Sequence, residues 1–143
     1  MTPSVRARLL AAWLRATPDG VVAHFMTHPP RGRLMLPLVP SWLEAEHDVE
    51  VTEVEAGRVA TVSPRTGAGG RHVFYLHGGA YTLGPAHWDV VRPLLERGWT
   101  VSMVDYPLAP EHTVVDTVSM TIAAWQRATA DASIPLDVMG DSA

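Results

Sequence analysis

The chain has 143 residues, 47% hydrophobic and 18% charged, a composition that suits one compact globular domain and excludes a disordered or low-complexity tail. It has no cysteine, which removes disulfide scaffolds, thiolate metal sites and cysteine nucleophiles. The net charge is -4, and the basic side chains, all arginine, are scattered among the acids, so nucleic acid is not an expected partner. No apolar stretch approaches the roughly 20 residues that span a bilayer, so no integral membrane association is expected and the location expected is cytoplasmic.

In chain order, Val5, Leu9, Ala12, Trp13 and Ala16 recur at helical spacing, with Ser4 as N-cap and Pro18, Asp19 and Gly20 as the stop. From Val21 to Pro40 the prolines permit only short pieces. Asp48 to Val54 and Arg58 to Ser63, separated by Ala56 and Gly57, read as two strands of a hairpin. The pattern then turns to strand, helix, strand, helix, strand: Val73 to Leu76, Asp89 to Arg97, Thr100 to Val104, Val114 to Ala130, and Leu136 to Met139. In the first of these helices Asp89 is the expected N-cap, which would keep Pro93 near the first turn. In the second, Val115, Val118, Ile122 and Trp125 form the expected buried face. The five tryptophans read as core. Strands lacking period-2 polarity that alternate with helices imply an α/β class with a covered parallel sheet.

Three motifs carry chemistry. Gly140-Asp141-Ser142-Ala143 follows a strand and matches four fifths of G-x-S-x-G, in which small residues flank a serine on a tight strand-to-helix turn. His77-Gly78-Gly79-Ala80 follows Leu76, and glycines there let backbone N–H groups point at an oxyanion. Asp105-Tyr106-Pro107-Leu108-Ala109-Pro110-Glu111-His112 follows the next strand. His24 and His28 lie four apart but have no third ligand near them, so no metal and no cofactor is expected. The glycines from 78 to 84 satisfy neither nucleotide-loop pattern.

In these motifs, their order and their strand ends, the sequence resembles the hormone-sensitive-lipase-like family of α/β-hydrolases, whose members carry H-G-G-G, D-Y-R-L-A-P-E and G-D-S-A-G. The resemblance implies an α/β-hydrolase fold over residues 48–143, truncated after the nucleophile-elbow strand, with residues 1–47 as a helical cap segment. It implies a serine-type carboxylic ester hydrolase acting on a small-molecule ester. Ser142 matches the nucleophile and Gly78, Gly79 and Ala143 the oxyanion hole, while His77, Asp105 and Glu111 support the loops.

Nothing in the chain matches the family's triad histidine and acid, so the chain alone is expected to be inactive. A hydrolase-fold binding module or receptor without catalysis is the alternative. Ala80 stands where the family has its third glycine, which restricts the backbone there. Pro107 stands in place of the D-Y-R arginine, which implies a loop without that guanidinium anchor.

Overall fold

A computed structural model describes residues 5–18, 20–21, 24, 27–28, 37–66, 70–85, 88–130 and 132–141. Ser4 and Asp19, expected at the two ends of the first helix, lie outside them. The chain forms two compact units, residues 1–30 and 31–143.

The first unit carries α1 (Val5–Ala16), the span expected from its periodicity. Past its end the Thr17 N–H and hydroxyl both donate to the Trp13 carbonyl, at 3.0 and 2.9 Å. Val5, Leu9 and Trp13 are exposed, so Trp13 is not the core residue expected.

The second unit holds α2 (Ser41–Glu46), β1 (His47–Val54), β2 (Gly57–Pro64), β3 (His72–Leu76), α3 (Trp88–Leu95), β4 (Thr100–Asp105), α4 (Val114–Ala130) and β5 (Leu136–Gly140). The sheet order is β1-β2-β4-β3-β5. β1, β2 and β4 pair antiparallel, and β3 runs parallel to both β4 and β5. The hairpin turns through Glu55 and Ala56, with Glu55 in the left-handed region at φ 48. β4, central and paired on both sides, is buried at every residue, which is why it reads as a continuous run without alternation.

One face of the sheet packs Val62, Val73, Tyr75, Val101 and Met103 against Leu43, Trp88, Val91 and Leu95. Trp88 ties this layer together by donating its indole N–H to the Leu38 carbonyl at 2.7 Å. Trp42 and Trp99 are partly buried at its margin, beneath the guanidinium groups of Arg92 and Arg71. The opposite face packs Val59, Phe74 and Val104 against Met120 and Ala124 of α4, with Trp125 edge-on to Phe74 at 5.4 Å.

Two expectations about the helices need correction. α3 begins at Trp88, so Asp89 sits inside its first turn and Pro93 lies beyond that turn. Pro93 therefore has no N–H to give the Asp89 carbonyl, one bond fewer in a short helix that ends two residues later. There Gly98, at φ 77, lets its own N–H and that of Trp99 donate to the Leu95 and Leu94 carbonyls at 2.8 and 3.1 Å. α4 has its expected span but presents Thr117, Met120 and Ala124 to the sheet. Val115, Val118 and Ile122 are exposed, because small Ala124 and flexible Met120 allow close approach on that side.

Candidate active site

The H-G-G loop leaves the C-terminal end of β3, where ligands bind open α/β sheets. His77 is buried. The Tyr106 ring stacks on its imidazole at 4.3 Å, and the Tyr106 hydroxyl donates to the His77 carbonyl. The His77 Nδ1 donates to the Gly78 carbonyl at 2.8 Å. The second and third motifs thus brace each other. A further strut runs from the Ala109 N–H to the Tyr81 carbonyl at 2.8 Å.

The loop then turns sharply. Gly79 takes φ 124, and a Cβ there would sit 2.9 Å from the Leu83 backbone oxygen and Cβ, so only glycine fits. Ala80 and Tyr81 follow at φ 53 and 58. The Thr82 and Leu83 N–H groups fold back onto the Gly79 carbonyl at 3.0 and 3.1 Å. Among the described residues no acceptor faces the N–H of Gly79 or of Ala80.

Asp105, at the end of β4, is buried, and the guanidinium of Arg58 grips its Oδ2 at 2.7 and 3.2 Å from the paired position on β2. A buried carboxylate needs such a partner. Pro107 is fully buried, and its carbonyl accepts the Thr117 hydroxyl of α4 at 2.6 Å. The loop is thus held at Asp105 by Arg58 and at Pro107 by Thr117. Glu111 is exposed in the following turn.

β5 brings the Gly140-Asp141 part of the remaining motif to the same place. Gly140 pairs with Leu76 in register, and the next residue, Asp141, directs its Oδ1 at the H-G-G loop. That oxygen accepts the Gly78 N–H at 2.6 Å and the Tyr75 hydroxyl at 2.8 Å. Ser142 and Ala143 lie outside the described residues. The carboxylate raises the pKa of the Tyr75 phenol, second to burial as a cause. Burial, followed by the charges of Tyr81, Asp141 and Asp105, pushes Tyr106 up to about 12.

A family model described as the α/β hydrolase fold matches residues 73–143, the stretch that runs from β3 to Ala143. The chain has the α/β-hydrolase fold. Among solved structures, the chain is similar to a bacterial esterase of the hormone-sensitive lipase family at 26% identity, with a TM-score of 0.61 over 99% of this chain and 49% of the other. It is similar to the esterase EstE5 soaked with p-nitrophenyl butyrate at 23% identity, with a TM-score of 0.64 over 97% of this chain and 48% of the other. An esterase/lipase from an uncultured bacterium follows at 23% identity, with a TM-score of 0.56 over 89% and 49%. The chain thus spans about half the length of these esterases. No curated protein matches its sequence.

Sequence reasoning singled out the motif residues but missed the side chains that join them. Tyr75 reads as one more core residue of Val73-Phe74-Tyr75-Leu76, and nothing local marks its hydroxyl. Arg58 gave a weak signal, a lone cation at the head of an apolar strand. Among the described residues no group of three side chains is placed to hold a metal, His24 and His28 included. None of the described helices is long and apolar enough to cross a membrane.

Proposed function

We propose that this α/β-hydrolase chain serves carboxylic ester hydrolysis, with Ser142 as the nucleophile. The observation that carries the reading is the bond from the Gly78 N–H to Asp141 Oδ1 at 2.6 Å, which holds the residue before Ser142 against the H-G-G loop. In this reading Ser142 attacks the ester carbonyl, and preorganised backbone N–H groups meet the charge that develops on its oxygen.

Gly78, Gly79 and Ala143 are the donors that the motifs imply. The Gly78 N–H is already given to Asp141, so the loop's share of the oxyanion hole falls to Gly79 and Ala80, with Ala143 completing it from the elbow. Gly78, Asp141 and Tyr75 then act as positioning groups. His77, packed under Tyr106 and bonded to Gly78, braces the loop along with Asp105. Residues 1–47 are assigned to the cap segment, of which Leu38 and Leu43 pack into the core of the second unit.

A base must take the serine proton and pass it to the leaving alcohol, and general acid–base help is worth about 10²–10⁴ in rate. No motif of this chain supplies that base, so the chain alone is expected to turn over esters very slowly.

The test is a graft. This chain is joined, after Ala143, to the remaining half of one of the matched esterases and assayed with p-nitrophenyl butyrate. The expected result is turnover that Ser142→Ala abolishes. A folded graft without turnover, or one indifferent to Ser142→Ala, contradicts the proposal, and ester binding without hydrolysis favours a binding module.

A further inference from the structure

A second polar cluster lies on the α4 side of the sheet, away from the three motifs. Thr61 of β2, Ser102 of β4 and His72 of β3 meet there: Ser102 Oγ is 2.7 Å from Thr61 Oγ1 and 2.8 Å from His72 Nε2. His72 and Leu76 mark opposite ends of β3, about 13 Å apart at the usual rise per residue. The cluster is therefore remote from the H-G-G loop. It lies within an otherwise apolar layer, where side chains of the same shape without polar atoms would serve packing as well.

A cavity of about 300 Å³ opens onto this hydroxyl floor, at the small end of the range for small-molecule sites. Its walls include Val54, Val59, Ala124 and Ala128, and one charge of each sign lines it, Glu50 from β1 and Arg127 from α4. Neither has an ionic partner among the described residues. Burial lowers the pKa of His72, so the imidazole is neutral near pH 7 and adds no third charge.

A serine bonded to a histidine invites a nucleophilic role. Ser102, however, lies within the central strand, between Thr61 and Phe74 in register, where its backbone is committed to the sheet. Its own N–H and those of the paired strands are committed to the sheet, so the cluster suits binding rather than acyl transfer.

We propose that this pocket binds a small zwitterion of the α-amino-acid class, its carboxylate toward Arg127, its ammonium toward Glu50 and its apolar side chain among the valines and alanines. A simple anion would meet Glu50 and a simple cation Arg127, and each would leave the other charge unmatched. Only a ligand carrying both uses the whole lining.

The experiment titrates the isotope-labelled chain with L-valine, 3-methylbutanoate and isobutylamine, following the His72 imidazole and Thr61 amide signals. L-valine is expected to give saturable shifts, with the two singly charged analogues about tenfold weaker or worse. Arg127→Gln and Glu50→Gln, both at exposed positions that the fold tolerates, are each expected to weaken L-valine by about the same factor. The proposal is overturned if L-valine gives no saturable shift, if the three probes bind alike, or if both variants bind as the parent does.

Discussion

Ala80 sits at φ 53, where an L side chain costs roughly 1–2 kcal/mol. Ala80→Gly removes that strain and returns part of it as added freedom of the unfolded chain, so a net stabilisation of about 0.5–1 kcal/mol is expected. Urea denaturation with an unchanged slope checks it, and a loss of stability would show that the loop is not strained there. The two raised phenols give a second expectation. Folding holds Tyr75 and Tyr106 protonated, so their contribution is complete below the ordinary phenol value of about 10. It is lost as pH rises from there through the Tyr106 value of about 12, because the unfolded chain releases protons that the fold retains. Stability measured across this range should fall, and Tyr106→Phe should flatten the slope; an equal slope in the variant would mean that Tyr106 is not the group responsible. At this scale the sequence was legible where geometry admits one residue type, as at Gly79, and illegible where a role depends on a distant partner. Asp141 reads locally as an elbow residue, and only the pairing of β5 with β3 turns its carboxylate into the clamp on Gly78.

The elements themselves were largely legible, because buried strands and capped helices leave strong local patterns. β2, β4 and α4 fall within a residue or two of their expected bounds. The side that α4 buries was not legible. Its bulkiest apolar row, Val115, Val118 and Ile122, satisfies helical periodicity, yet the helix docks through Thr117, Met120 and Ala124. Periodicity counts hydrophobic side chains, whereas docking also rewards a small residue that lets two layers approach. The distinction is measurable. Met120→Ala should cost about 2–5 kcal/mol as a large-to-small change at a fully buried site, and Ile122→Gln less than about 0.5 kcal/mol at a half-exposed one. The reverse order in thermal or urea unfolding would restore the row expected from periodicity.

For the whole molecule, the α/β class follows from alternating elements, but the order β1-β2-β4-β3-β5 does not, since it is set by pairings between strands far apart in sequence. That order is what places the H-G-G loop of β3 beside the Gly140-Asp141 end of β5, with the Tyr106 loop of β4 on its other side. The chemistry proposed for Ser142 rests on this convergence and on the division of labour among Gly78, Gly79 and Ala80. The most direct measurement is the crystal structure of the grafted esterase after reaction with a phosphonate ester, which leaves a tetrahedral phosphorus on the attacking oxygen. The account predicts phosphorus bonded to Ser142 Oγ, its oxyanion about 2.7–3.1 Å from the N–H groups of Gly79 and Ala80, and the Gly78 N–H still on Asp141. An adduct on another residue, or an oxyanion held by the Gly78 N–H with Asp141 released, would contradict it.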